Sequence, residues 1–339
     1  MYYCSNYTIA VLLCVVTMLC WGSWGNTQKL AGKTWRFELF YWDYVLGLIL
    51  FALLAGFTAG SCGGGAWSFV ENLKYSSPSQ WMWPFIGGII FNASNILLSA
   101  AIAVAGMSVA FPVGVGLALV GGTIANWFVD SKGNPYLIWL GLAVIVTSII
   151  CNALAFKAKQ SAAGSASDAS MVKKGLILAI CAGLLMGWFS PLVNRVVDMA
   201  FTNPAPEAGK MTPYTAFFMF TLGVFASNFI FNTIMMKKPV SGEPVKGSEW
   251  FKGSVFVHFV GILGGCIWAT GTLLSFVTAG TAGAAIAYAL GQGATLVSAL
   301  WGILVWKEFK GAPKVSGVLN LAMILLFVVG LALLIVAGQ

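Results

Sequence analysis

The chain has 339 residues, of which 59% are apolar and only 8% carry a charge. A soluble domain has about 25% charged residues, so water is not the main solvent of this fold. The formal net charge of +8 arises from 18 Lys and Arg residues, and these are sorted among short loops instead of forming one patch. The composition therefore predicts an integral membrane protein, and it excludes a nucleic-acid partner and a string of soluble domains.

Apolar runs of membrane-spanning length follow one another from end to end. A bilayer core needs about 20 apolar residues per helix, and ten runs of this kind are separated by short polar segments. The expected fold class is an all-α membrane protein with ten transmembrane helices. The predicted spans are 8–28, 39–60, 82–104, 108–127, 135–156, 174–199, 213–236, 254–278, 281–304 and 312–337.

The most open loop, rich in Ser, Ala and Gly, covers residues 157–173 and divides the spans into two sets of five. Because five is an odd number, the second set must insert upside down relative to the first, which is the inverted repeat of many secondary transporters. We therefore expect a first five-helix repeat at 1–156, a cytoplasmic linker at 157–173 and a second repeat at 174–339.

Two short similarities support this duplication. Gly106 and Trp127 in the fourth span are as far apart as Gly280 and Trp301, which frame the ninth. The sequence KGNP at 132–135 also matches KGAP at 310–313, and each stands just before the fifth span of its half. Their equivalent placement favours a five-plus-five inverted repeat.

The basic residues predict the orientation in the membrane. Of the 18 Lys and Arg residues, 14 fall on the loops that join spans 1–2, 5–6, 7–8 and 9–10, and four fall on the opposite side. Short loops rich in Lys and Arg remain in the cytoplasm. The protein is therefore predicted to be a multi-pass protein of the cell (inner) membrane with both termini outside.

Signatures of enzymes are absent from the sequence. His258 is the single histidine, and there is no HExxH, GxSxG or Walker loop. We therefore expect no enzymatic activity, no metal site and no cofactor.

Uncharged polar groups lie beside aromatic residues within the spans. Buried amides are costly in lipid unless paired, so such residues either hold helices together or line a wet pocket. We favour a pocket, because two asparagines of span 3 are one helical turn apart and other amide and aromatic side chains lie at similar depth. Amides and aromatic faces suit a neutral substrate rich in hydroxyl or amide groups. The predicted pocket residues are Asn92, Asn95, Trp188, Trp268, Tyr288 and Gln292.

Two titratable residues near span ends are candidates for ion coupling. Asp43 lies near the start of span 2 without an obvious cationic partner, and it is the preferred proton-coupling group. His258, near the start of span 8, is the alternative because histidine titrates near neutral pH. A sodium site beside Pro112 would need neither residue, so both proton and sodium coupling stay open.

Three segments carry a resemblance to known transporters: WGSWGNT at 21–27, WRFELFYWDY at 35–44 and GWFSP at 187–191. With the five-plus-five layout, they resemble the drug/metabolite transporter superfamily. Within it, the chain is most similar to the sugar-transporting branch of glucose/ribose porters and L-rhamnose–proton symporters, and plant ureide permeases are also similar. The resemblance implies cation-coupled sugar uptake through a central cavity between the halves. By position it implies binding roles for Trp21, Trp24, Asn26 and Trp188.

The leading hypothesis is import of a small neutral polar metabolite, most simply a monosaccharide, coupled to protons or sodium. A ureide or nucleobase carrier, or an exporter of amphipathic metabolites and drugs, remains the alternative. The expected partners are a sugar-like small molecule, the coupling ion and membrane lipid.

Overall fold

The computed structural model describes residues 1–32, 35–62, 64–105, 107–162, 169–201, 205–240, 242–307 and 309–339. These parts of the chain are mainly helical and contain no strand, only one isolated bridge between Val197 and Met211. The helices are α1 (Tyr7–Ser23), α2 (Gly25–Leu30), α3 (Phe37–Phe57), α4 (Phe69–Tyr75), α5 (Pro78–Ala105), α6 (Met107–Val129), α7 (Pro135–Ala162), α8 (Ala169–Met186), α9 (Phe189–Asn194), α10 (Pro213–Lys237), α11 (Val255–Ala282), α12 (Ala284–Gly291), α13 (Ala294–Leu300) and α14 (Lys314–Ala337).

Within the described residues, nine helical segments are long and apolar enough to cross a membrane. The predicted span at 108–127 corresponds to α6, whose described apolar part, Val113–Val129, is shorter than these nine. A multi-pass helical membrane protein is thus confirmed, and the count of ten spans stays a prediction. The nine segments are Tyr7–Leu30, Phe37–Ser61, Pro78–Ala105, Pro135–Lys159, Lys173–Asn194, Pro213–Lys237, Val255–Ala282, Ala284–Val305 and Lys314–Ala337.

The predicted linker at 157–173 is largely helical where the structure describes it. Helix α7 continues to its end at Ala162 and α8 begins at Ala169, while residues 163–168 lie outside the described residues. Alanine and lysine have high helix propensity, so these flanks extend the helices beyond the apolar runs. Gly106 and the side chain of Pro112, both used above, also lie outside the described residues.

Three of the membrane-length segments are broken. One break lies at Trp24 between α1 and α2, another at 187–188 between α8 and α9, and a third at 292–293 between α12 and α13. The third broken segment, Ala284–Val305, ends in a π-helical turn at Trp301–Val305. Within a bilayer, non-helical backbone is tolerated only where protein or a cavity surrounds it, so these breaks indicate where the interior of the bundle is irregular.

Helices α3 and α11 approach each other through two glycines. A Cβ atom on Gly47 would clash with the carbonyl oxygen of Ile262, and one on Gly265 would clash with that of Tyr44. Small residues at helix crossings let two backbones come this close in lipid. Each glycine thus lies against the carbonyl three positions before the other glycine.

Helices α5 and α10 repeat this arrangement. A Cβ atom on Gly223 would clash with the carbonyl oxygen of Phe85, and one on Gly88 would clash with that of Phe220. Again each glycine faces the carbonyl three positions before its partner glycine. The two helix pairs therefore cross through the same contact in the same register.

Candidate functional site

An aromatic cluster occupies the middle of the bundle, where five helices meet. The ring of Trp268 on α11 lies 4.2 Å from that of Phe91 on α5 and 6.2 Å from that of Trp21 on α1, centroid to centroid. Phe189 on α9 and Tyr288 on α12 also belong to it, with their ring centroids 6.2 Å apart. All five side chains are buried, so the cluster joins both halves of the chain.

A small cavity of about 30 Å³ adjoins this cluster. Ligand pockets usually measure about 300 to 1,000 Å³, so the cavity in this conformation is too small to hold a metabolite. The three helix breaks each supply a lining residue: Trp24, Phe189 and Gln292. The lining residues are Trp21, Trp24, Phe91, Asn95, Leu98, Val115, Met186, Phe189, Trp268, Gln292 and Ala294.

The two predicted pocket asparagines both bond to Tyr41 but differ in their other contacts. Asn92 Oδ1 accepts a hydrogen bond from the Tyr41 hydroxyl at 3.0 Å, and its Nδ2 donates to Ser227 Oγ at 3.0 Å. Asn95 Nδ2 also donates to the Tyr41 hydroxyl, at 3.2 Å, but Asn95 Oδ1 is buried without a protein partner. Asn92 therefore ties α3, α5 and α10 together, whereas Asn95 lines the cavity.

Trp21 and Tyr288 form hydrogen bonds to neighbouring helices. Trp21 Nε1 donates to Thr272 Oγ1 at 2.9 Å, and the Tyr288 hydroxyl donates to the carbonyl of Ala118 at 3.2 Å. These bonds fix the two rings against neighbouring helices. Asn95 and Gln292 are thus the two amide side chains of the cavity lining.

Asn26, contrary to the expectation from the resemblance, is not among the cavity-lining residues. Its Oδ1 accepts a hydrogen bond from Trp306 Nε1 at 2.7 Å, and its Nδ2 donates to the carbonyl of Ser23 at 3.0 Å. Close by, Trp301 Nε1 donates to Ser23 Oγ at 2.9 Å. Asn26 therefore joins α2 to the π-helical end of the ninth predicted span, on the side predicted to be cytoplasmic.

The structure does not bring Trp188 to the cavity, contrary to the sequence-based expectation. Its side chain is 58% exposed and borders a separate surface cavity of about 780 Å³ beside Arg195 and Lys210. Trp188 lies in the turn between α8 and α9, and the next residue, Phe189, points inward and is buried. The GWFSP segment thus contributes to the aromatic cluster through Phe189.

The two coupling candidates form one pair. His258 Nδ1 lies 2.8 Å from Asp43 Oδ1, and Trp250 Nε1 donates to the same oxygen at 2.9 Å. The Asp43 side chain is fully buried, whereas that of His258 is 21% exposed. The contact forms because Gly261 on α11 has no Cβ, which would clash with the Cβ of Asp43. The structure therefore gives Asp43 a titratable partner, and the two residues that the sequence offered as alternatives lie in contact.

Metal-binding side chains do not gather within the described residues. No group of three or more His, Cys, Asp or Glu is arranged there to hold a metal ion, and the seven cysteines are free. The groups present at the site are amides, aromatic rings and the pair of Asp43 and His258.

Comparison with known proteins assigns the chain to a family. The ureide permease family model matches residues 165–337 of the chain, half of its length. The chain belongs to the ureide permease family.

Members and neighbours of this family are similar over the full length. The chain is 23% identical to "Ureide permease 1" of Arabidopsis thaliana over 387 residues, covering 100% of this chain and 99% of that protein. It is 25% identical to a "Putative sugar uptake protein" of Streptococcus agalactiae over 329 residues, covering 96% and 97%. A protein of known crystal structure has the same fold, with a TM-score of 0.58, 17% identity and coverage of 96% and 97%.

The family comparison refines the sequence-based resemblance. It confirms a family of membrane transporters, and permease relatives agree with the expectation that the chain is not an enzyme. It does not reach the specific glucose/ribose porter branch that the sequence motifs suggested.

In this member of the ureide permease family, sequence reasoning missed Ser99, Asn228 and Asn232, whose buried polar atoms on α5 and α10 lack a protein partner, as Asn95 Oδ1 does. Buried polar atoms without a protein partner usually bind water or a ligand. The spacing of these residues was a signal, since Asn95 with Ser99 and Asn228 with Asn232 are each four residues apart on one helix face. The unpartnered atoms are Asn95 Oδ1, Ser99 Oγ, both side-chain polar atoms of Asn228, and Asn232 Oδ1.

Proposed function

We propose that this protein is a secondary active carrier for a small, neutral and flat compound rich in N–H and C=O groups, a ureide or a nucleobase. The observation that carries the proposal is the cavity lining, in which two amides, Asn95 and Gln292, lie among five aromatic side chains. An amide presents a donor beside an acceptor, which complements the paired N–H and C=O groups of a ureide. Aromatic faces stack on a flat ring. The ureide permease relatives support this substrate class.

A monosaccharide is the second candidate. The name of the Streptococcus agalactiae relative supports it, and aromatic faces also suit the C–H surface of a sugar ring. A sugar carries several hydroxyl groups, each a donor and an acceptor. Two amide side chains leave most of these groups unpaired in a closed site, which is why the ureide class is preferred.

We further propose that the chain is a ten-span, five-plus-five inverted repeat, with halves at 1–156 and 174–339. The glycine contacts support this arrangement, because α3 against α11 and α10 against α5 cross in the same register. In the predicted span order, exchanging the halves turns one of these pairs into the other. Inverted repeats alternate access by moving one half against the other around a central site.

Coupling is assigned to the pair of Asp43 and His258, with import driven by protons. A buried carboxylate beside a partly exposed histidine gives a protonation change a connection to the aqueous phase. Asp43 is next in the chain to Tyr44, whose ring centroid lies 5.0 Å from that of the cavity-lining Trp24. A change in the contact of α3 with α11 at the pair is thus transmitted toward the cavity.

Counterflow in proteoliposomes tests the substrate class. Vesicles loaded with unlabelled compound are given labelled allantoin, uracil, glucose or rhamnose, with protein-free vesicles as the control. We expect saturable counterflow of allantoin or uracil and none of the sugars. Counterflow of a sugar alone would select the second candidate, and no counterflow of any compound in the panel would refute both.

A further inference from the structure

A groove of about 850 Å³ lies on the outer surface between α3, α10 and the segment that follows α10. Its floor is aromatic and includes Trp42 and Phe229, and its rim carries Phe251, whose side chain is 81% exposed. Two lysines, Lys237 and Lys246, also line it. The groove therefore combines a wide apolar floor with two positive charges.

The charges of the groove have one sign. None of the described lining residues is an aspartate or a glutamate. Neither Lys237 nor Lys246 forms an ion pair within the described part of the chain. Lys237 is the last residue of α10, so the lysines lie at the level where a spanning helix leaves the apolar core. The complementary ligand is an anion that carries a long apolar group.

The walls of the groove are held in place by the fold. The Val245 amide donates to the carbonyl of Met236 at 2.9 Å, which fastens the segment after α10 to the end of that helix. Trp42 Nε1 donates to Met236 Sδ at 3.4 Å and so fixes the floor. A preformed concave site of this kind loses little entropy when a ligand orders in it.

We propose that this groove binds one anionic phospholipid. The phosphate lies between Lys237 and Lys246, and an acyl chain lies along Trp42 and Phe229. Basic pockets beside transmembrane helices recognise anionic head groups in this way. The aromatic rim at Phe251 lies at the level of the head groups, where aromatic side chains are favoured.

A lipid in the groove also affects the pair of Asp43 and His258, an inference that rests on the proposed function. Trp250 lines the groove and donates its Nε1 hydrogen to Asp43 Oδ1, and its ring centroid lies 4.6 Å from that of His258. A lipid in the groove packs against Trp250 and holds it on the pair. Anionic lipid therefore supports accumulation driven by a pH gradient.

Native mass spectrometry of the full chain in detergent tests the binding step. Phosphatidylglycerol and phosphatidylcholine with identical acyl chains are titrated in separate runs. Each lysine near a lipid head group is worth about fivefold in affinity, so we expect phosphatidylglycerol to bind about tenfold more tightly or better. Equal affinity for the two lipids would overturn the proposal, and so would displacement of the lipid by millimolar inorganic phosphate.

Variants locate the site. Lys237→Gln with Lys246→Gln should remove the preference for phosphatidylglycerol, whereas Lys237→Arg with Lys246→Arg should keep it. The matched control is Lys310→Gln with Lys314→Gln, two exposed lysines on the same predicted side. An equal loss in the control pair, or an unchanged preference in the first pair, would refute this location.

Transport is measured separately in vesicles with and without phosphatidylglycerol. We expect the anionic lipid to increase accumulation driven by a pH gradient and to leave downhill exchange unchanged. If binding follows the lysines but accumulation ignores the lipid, the link through Trp250 is wrong while the lipid site stands. Failure of the proposed carrier function would leave the mass-spectrometric result unaffected.

Discussion

Asn92 and Asn95 lie one turn apart on α5, and their hydrogen bonds give them different expected roles. Asn95→Ala removes one of the two amides of the cavity lining, so we expect the apparent affinity for substrate to fall about tenfold, the equivalent of one hydrogen bond. Asn92→Ala instead removes bonds to Tyr41 and Ser227. It should lower the free energy of unfolding by about 0.6 to 2 kcal/mol and leave the affinity unchanged.

Uptake kinetics and thermal unfolding in detergent separate the two effects. Asn152→Ala is the matched control, because Asn152 is also buried but bonds to Asn320, between α7 and α14 and away from the cavity. The control should lose some stability and no affinity. A loss of affinity in Asn92→Ala with normal affinity in Asn95→Ala would move the site from the cavity to the contact of Asn92 with Tyr41 and Ser227.

The pair of Asp43 and His258 makes the second prediction at the residue scale. Asp43→Asn keeps an oxygen that accepts from Trp250 but exchanges no proton, so it should abolish accumulation driven by a pH gradient while sparing downhill exchange. His258→Gln should reduce accumulation because it removes the partner that meets water. Both are read as steady-state accumulation under an imposed pH gradient.

Glu249→Gln is the control for charge loss, because this exposed carboxylate pairs with Lys252 at 2.7 Å. It should accumulate substrate normally. Normal accumulation by both Asp43→Asn and His258→Gln would rule out proton coupling through this pair. A sodium site of backbone carbonyls and hydroxyls would then be the better explanation.

The sequence showed which types of residue form the site, but it showed less well which of these side chains face the cavity. Polar and aromatic groups stand out within apolar spans, and this identified Asn95, Trp268 and Gln292. The family resemblance added Trp21 and Trp24, and all five residues line the cavity. The sequence did not distinguish Trp188 from Phe189, because a break in a helix rotates each residue by an amount that no periodicity records. It also treated Asp43 and His258 as alternatives, since their contact depends on the crossing of α3 with α11.

At the scale of elements, the paired glycine crossings predict paired effects on stability. Gly265→Ala on α11 and Gly88→Ala on α5 each place a Cβ against a backbone carbonyl of the neighbouring helix. We expect each to lower the free energy of unfolding by about 1 to 3 kcal/mol, as overpacking does. Thermal unfolding of the purified variants measures both.

Gly317→Ala on α14 is the control for the glycine substitutions, because nothing lies within 4 Å of a Cβ at that position. Alanine there should be neutral or slightly stabilising, since it has the higher helix propensity. A loss in the control as large as in Gly265→Ala would refute the crossing argument. A large loss in Gly265→Ala with none in Gly88→Ala would show that the two crossings are not energetically equivalent.

Element boundaries followed the apolar runs where helices are continuous. The predicted span 213–236 agrees with Pro213–Lys237, whose start is fixed by a capping box at Thr212. The predicted span 281–304 is instead divided into α12, α13 and a π-helical turn. An apolar run records burial in lipid and not backbone continuity, so the breaks that build the site were invisible in the hydropathy.

At the scale of the whole molecule, composition alone established a polytopic helical membrane protein. Which helices meet could not be derived in this way, because the spans are mainly apolar and lipid gives no hydrophobic preference for one neighbour over another. The small residues hold this information instead. Only their contacts in the folded chain reveal that α3 with α11 and α5 with α10 cross in one pattern.

The orientation of the whole molecule is the last prediction. Short loops rich in Lys and Arg remain in the cytoplasm, and 14 of the 18 such residues lie on one side of the predicted spans. A reporter active only in the cytoplasm should therefore be silent when fused after Gln339, and active when fused to a chain ending at Lys238.

The two fusions together decide the direction in which the coupling pair faces water. His258 lies near the start of α11, which follows a loop that holds Lys246 and Lys252. With the predicted orientation, the exposed edge of His258 meets the cytoplasm, and a proton carried inward leaves the pair there. An active reporter after Gln339 and a silent one after Lys238 would show that the orientation in the membrane is the opposite of the predicted one. The same pair would then take up protons from outside, and its histidine would be the entry and not the exit of the proton path.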